Sequence, residues 1–211
     1  MRQRLGSVLL TVGAAAVAVG FSATSSFAAA GSWNVSPGGA VTLKKSGVIT
    51  IKDATSGNSV VCVNSAGKAN FKAGTGLSGA HFASIKPLTF TSCTGPSAAA
   101  FTVTATLPWV LNAVSYRPAV ATTNGTATGI EAAISGTSCT ATLDGTSATG
   151  ADGQAVIHYH NSPAKLKIEP DGSNLHVYNV TGCTGLFKSG DAVTLNAAYT
   201  VSPAQTVTES A

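Results

Sequence analysis

Charge is scarce in this sequence. Asp, Glu, Lys and Arg make up 9% of its 211 residues, against about a quarter in an ordinary soluble domain. Disorder needs the opposite balance, high charge with low hydrophobicity, and here hydrophobic residues reach 44%. Aromatics are 6% of the chain, and past Arg4 the one arginine is Arg117. The lysines are scattered along the sequence. Gripping nucleic acid calls for clustered cations and stacking aromatics, so no nucleic acid partner is expected. Past residue 30 there is no sustained 3.6-residue period, and no integral membrane segment is expected there. No cofactor motif is present, and no cofactor is expected.

The first residues follow a different grammar. Arg2 and Arg4 give a short positive start, and Leu5 to Phe21 is apolar and uncharged. Ser26-Phe27-Ala28 and Ala28-Ala29-Ala30 both place small residues where a signal peptidase reads them. Residues 1–30 are therefore expected to be a signal peptide, cleaved after Ala28 or Ala30. No cysteine follows the apolar run, which argues against a lipid anchor. The expected destination is extracellular, free or loosely associated with the cell envelope. Twelve Lys plus Arg against eight Asp plus Glu gives +4. Without Arg2 and Arg4 the balance is ten against eight, or +2.

What remains, residues 31–211, reads in period two. In Phe101-Thr102-Val103-Thr104-Ala105-Thr106-Leu107 apolar residues alternate with threonine. Ile130–Ser135, Cys139–Leu143 and Val193–Val201 alternate in the same way. Successive strand side chains point to opposite faces, so each run offers one apolar and one wet face. Val48–Lys52, Ser59–Val63, Leu88–Ser92, Trp109–Ser115, Ala155–His160, Ala164–Ile168 and Leu175–Val180 are further candidates. Pro37-Gly38-Gly39, Ser56-Gly57-Asn58, Asn124-Gly125, Asp144-Gly145, Asp152-Gly153 and Asp171-Gly172 read as turns. Many short strands joined by turns predict a single all-β domain of about a dozen strands. An antiparallel β-sandwich is expected, with a closed β-barrel as the alternative.

Cys62, Cys93, Cys139 and Cys183 all lie in this part. An even number behind a signal peptide reads as two disulfides. No pair has the short spacing that zinc sites favour. Four cysteines allow three connectivities. A weak internal echo favours one of them. Phe90-Thr91-Ser92-Cys93-Thr94-Gly95 echoes Val180-Thr181-Gly182-Cys183-Thr184-Gly185. Ser56-Gly57-Asn58-Ser59 ahead of Cys62 echoes Ser135-Gly136-Thr137-Ser138 ahead of Cys139. If residues 31–118 and 119–211 are duplicated halves, each carries its own bridge, Cys62 to Cys93 and Cys139 to Cys183.

A resemblance also emerges. It is carried by the stretch from Leu175-His176-Val177-Tyr178-Asn179-Val180 through Gly185-Leu186, then Ser189-Gly190-Asp191 and Tyr199-Thr200-Val201-Ser202-Pro203. With Leu107-Pro108-Trp109 and the four cysteines, it is similar to a large, uncharacterised group of secreted actinobacterial proteins rich in Ser, Thr, Gly and Ala. The resemblance implies secretion and a β fold. It implies no activity and no site residues.

The residues offer few openings for chemistry. Gly76-Leu77-Ser78-Gly79 with His81 nearby lacks the spacing of a nucleophile motif and reads as a Gly-rich turn. His158 and His160 lie two apart on one strand face, and His176 could add a third metal ligand. Asp144, Asp152 and Asp171 precede glycine, where aspartate serves turns, and Glu169 flanks Pro170. Glu131 sits on the polar face of a strand. Paired carboxylates for glycoside hydrolysis are not evident. Trp33 and Trp109 could stack on sugar rings or pack inside.

No catalytic, cofactor-binding or metal-binding residue is assigned on this reading; the four cysteines are the assigned sites. Three functions are carried forward. The first is a secreted non-enzymatic protein of the cell surface or extracellular matrix, with a cell-envelope or glycan contact. The second is an extracellular binding module for carbohydrate or a small apolar ligand. The third is a secreted hydrolase.

Overall fold

The alternating runs pair into ladders over residues 31–210, which the computed structural model describes. The expected signal peptide and its cleavage positions lie outside these residues. Every ladder is antiparallel. The chain meanders through eight consecutive strand lines. The first is β2 (Gly39–Lys45) continued by β3 (Ile49–Asp53), the second β4 (Ser59–Phe71) and the third β6 (Ala83–Thr94). The fourth joins β7 (Ala100–Thr106) to β8 (Trp109–Arg117), and the fifth is β9 (Thr122–Gly136). The sixth joins β10 (Cys139–Asp144) to β11 (Gly153–His160), and the seventh β12 (Lys165–Ile168) to β13 (His176–Thr181). The eighth, β14 (Val193–Ser202), pairs with β2 and β3 as well as β12, so the hydrogen-bonded circuit closes. Such a circuit can be round, or flattened so that two faces pack together; the pairing serves both expected shapes.

Three strands stand apart. β1 (Ser32–Ser36) lies between β15 (Thr206–Glu209) and β5 (Gly74–Ser78). Side chains fasten this small sheet to the circuit. Thr123 Oγ1 donates to the Val207 carbonyl at 2.8 Å, and Val207 N–H donates to Asn161 Oδ1 at 2.9 Å.

The period of two sorts the side chains as expected. Along β14, Val193, Leu195, Ala197, Tyr199 and Val201 are buried, while Thr194, Asn196, Ala198 and Thr200 turn outward. Leu43, Phe71, Ile85, Leu111, Ile130 and Ile157 join them in one buried cluster. Burying apolar area at roughly 25 cal/mol per Å² makes this cluster the main stabilising term.

One expected turn is not a turn. Asn124-Gly125 lies inside β9, opposite β8 and β11. Glycine is there for space: a Cβ on Gly125 would collide with the Asn112 carbonyl of β8. The inward positions of this half of β9 are Thr123, Gly125 and Ala127, too small to advertise a strand by apolar alternation.

The two disulfides are Cys62–Cys93 and Cys139–Cys183, the connectivity the internal echo favours. Cys62 and Cys93 sit directly opposite each other on β4 and β6. Cys139 opens β10, and Cys183 follows β13, its ladder partner. Each bridge therefore ties the second strand line of its half to the third.

Candidate functional site

A depression with a built floor lies on the outer face of β3 and β14. Two cross-strand pairs make that floor: Thr50 opposite Asn196, and Lys52 opposite Thr194. Ala54 to Gly57, the loop between β3 and β4, closes one end. Pro170 and Asp171, from the link between β12 and β13, form a side wall. The groove has a volume of about 590 Å³.

The end wall is held from below by Asp53. This residue is buried, and its Oδ1 accepts the Thr55 and Ser56 N–H groups at 2.6 and 2.8 Å. Its Oδ2 is buried without a partner among the described residues. Ser56 Oγ and Asn58 Nδ2 then donate to the carbonyls of Leu186 and Gly185, pinning the loop to the turn after Cys183. The groove thus presents one ammonium, one carboxylate, one amide and several hydroxyls on a fixed floor. That array can bind a polar ligand through hydrogen bonds.

The histidines divide. His158 and His160 both point outward from β11. Glu169 Oε1 lies 3.3 Å from His158 Nδ1 and 3.7 Å from Lys167 Nζ. His160 Nδ1 lies 2.9 Å from Thr122 Oγ1. Partial burial holds the His160 imidazole below its ordinary proton affinity, and the charges of Lys167, His158 and Lys165 push the same way. His176 sits elsewhere, on β13, where Nδ1 lies 2.8 Å from the Asn174 carbonyl and 3.2 Å from that of Gly145. The three do not converge, and no group of three His, Cys, Asp or Glu side chains that could hold a metal ion occurs among the described residues.

The remaining candidates are accounted for by packing and turns. Trp33 and Trp109 are 0% and 1% exposed, so neither ring is open to a sugar. Ser78 Oγ accepts the Ala80 N–H at 3.2 Å, and the His81 N–H donates to Asn112 Oδ1 at 2.8 Å. Asp144 Oδ1 accepts the Gly145 N–H at 2.8 Å, and Asp152 Oδ2 accepts from Thr146 Oγ1 at 2.8 Å. Glu131 faces Thr106 across the β7–β9 ladder.

The groove itself was not legible beforehand. The parity of Thr50, Lys52, Thr194 and Asn196 can be read in sequence, but the pairing of β3 with β14 joins the two ends of the circuit.

Fold and site define an all-β, doubly disulfide-bridged protein with a polar exterior. No protein-family model, no curated protein and no solved structure matches the chain. No helix of the described residues is long and apolar enough to cross a membrane.

Proposed function

We propose that this is an exported, non-enzymatic protein of the cell surface or extracellular matrix. The observation that carries the reading is the division between its two faces. The interior is filled by large side chains, both tryptophans included. The exterior is a field of hydroxyls: Thr42, Thr89, Thr91, Thr102, Thr104, Thr140 and Thr200 are all exposed. Such a surface suits many weak, hydrated contacts better than one chemical step. Two disulfides fit an oxidising, non-cytoplasmic setting, and the leader-like residues 1–30 and the resemblance to secreted actinobacterial proteins support the same destination.

A second reading, the extracellular binding module, is favoured by the polar groove over β3 and β14. Its hydroxyl, amide and carboxylate groups suit a carbohydrate better than an apolar ligand.

Native mass spectrometry of protein recovered from the producing cells' medium tests both. The surface reading expects a chain starting at Ala29 or Gly31, about 4 Da lighter than its reduced form, and bare or self-associated. A reproducible bound mass of saccharide size moves the second reading ahead. A chain found in the cytoplasm with its leader intact overturns both.

A further inference from the structure

Basic side chains that are scattered in sequence meet in one row on the outer face. Arg117 of β8 lies opposite Thr122 of β9, and Thr122 opposite His160 of β11. His160 lies opposite Lys165 of β12, Lys165 opposite Thr200 of β14, and Thr200 opposite Lys44 of β2. The neighbouring row carries His158 opposite Lys167. Lys68 of β4 lies opposite Thr42, on the far side of Lys44. Arg117, Lys44 and Lys68 are exposed, and His158, His160, Lys165 and Lys167 are half-buried. Glu169 is the acid facing this band, and it is shared between His158 and Lys167. Strands lie about 4.8 Å apart, so the five steps from Arg117 to Lys44 span roughly 24 Å.

We propose that this band binds an acidic polysaccharide, a flexible chain bearing repeated carboxylates. The length of the band calls for a polymer rather than a single small anion. Its course calls for a flexible one, because the row runs around a closed circuit of strands. A flat bilayer would meet part of it, whereas a chain can follow it. Thr200 lies exposed between Lys165 and Lys44, Asn124 lies beside His158 and exposed Thr42 beside Lys68, and these offer partners for sugar hydroxyls. Nucleic acid is disfavoured by the lack of a stacking platform. Tyr159 and Tyr199 alternate with the band residues and are buried inside, and Tyr116 packs against the core.

The proposal deepens the surface or matrix reading and takes its biological sense from it. Its test uses purified, disulfide-intact protein and does not depend on export. Polygalacturonate is titrated by calorimetry at low salt, with neutral dextran and single-stranded DNA as comparators. Polygalacturonate is expected to bind, dextran not to bind, and added salt to weaken the complex. The variant Lys44→Gln/Lys165→Gln/Lys167→Gln is expected to lose at least tenfold in affinity. Lys72→Gln/Lys188→Gln, off the band and outside the groove over β3 and β14, is expected to lose less than threefold, against a clearly larger loss for Lys44→Gln/Lys165→Gln at the same net charge. Absence of binding, equal losses in the two double variants, or equal affinity for single-stranded DNA would each overturn it.

Discussion

The Tyr159 hydroxyl engages both backbone groups of Gln205. It donates to the Gln205 carbonyl at 2.8 Å and accepts the Gln205 N–H at 3.1 Å. Tyr159 belongs to β11, and Gln205 leads into β15, so one phenol joins the circuit to the small sheet. Both partners are buried. Removing the hydroxyl leaves two buried backbone groups unpaired, a cost of about 1–3 kcal/mol each when desolvated. Tyr159→Phe is expected to lower the unfolding free energy by about 2 kcal/mol or more, measured by urea denaturation. A change below about 0.5 kcal/mol would show that water replaces the phenol without loss.

The phenols also set an alkaline limit. Burial pushes Tyr159 and Tyr199 up to about 12, from 10 in the unfolded chain. A group whose proton is held more tightly in the folded state contributes fully below its unfolded pKa. That contribution is lost as pH climbs through the folded value. Stability is therefore expected to be flat up to about pH 10 and to fall between about pH 10 and 12. Denaturant midpoints across that range, with Tyr199→Phe as comparison, check the sign and the residue.

On the acid side His160 works the other way. Burial and the charges of Lys167, His158 and Lys165 depress its proton affinity. The unfolded chain thus takes up the proton first as pH falls, and folding stability declines from the ordinary histidine range downward. Proton NMR should find His160 titrating below the usual value. Lys167→Gln is expected to raise that value, and His160→Gln to flatten the acid side of the stability curve. An ordinary titration for His160 would remove the argument.

The disulfides close loops with sequence separations of 31 and 44. In the chain-entropy model each should contribute about 3.5–4 kcal/mol. Replacing Cys62 and Cys93 together by alanine, or Cys139 and Cys183 together, should each cost a similar amount. Calorimetric melting of the two double variants separates them. A small loss for one pair would show that its half keeps residual structure when unfolded.

Gly125 is expected to tolerate nothing larger. Gly125→Ala drives a methyl into the Asn112 carbonyl, so β8 and β9 must separate. A loss of about 1–3 kcal/mol or more is expected, with the fastest amide exchange along Asn112 and Ala113. Neighbouring Gly129 has a φ of +72° and no such crowding. Gly129→Ala should cost less, through backbone strain alone.

How far the sequence could be read followed side-chain size. Where inward positions are large, as in Phe101–Leu107 or Val193–Val201, the strands stand out. Where they are Thr123, Gly125 and Ala127, the strand hid behind a glycine that reads as a turn. β1, β5 and β15 escaped because they hold too few large apolar residues to show a period: Trp33 and Val35, Leu77, and Val207. The cysteine echo did more, because each bridge follows local pairings of neighbouring strand lines. The groove and the basic band depend on register between distant strands. Lys165 and Lys44 are one strand apart across Thr200, and nothing in either local segment says so.

The pairing of β1 with β15, and of β14 with β2 and β3, has a consequence for how the molecule is made. β1 can pair with β5, and β2 and β3 with β4, but the other edge of each has no neighbour until the last strands have been delivered. During synthesis that open edge must wait for nearly the whole chain to follow. Contacts between such distant segments are slow to form. The final event is then a clasp, in which Trp33, opposite Glu209, is shut away from water as the tail arrives.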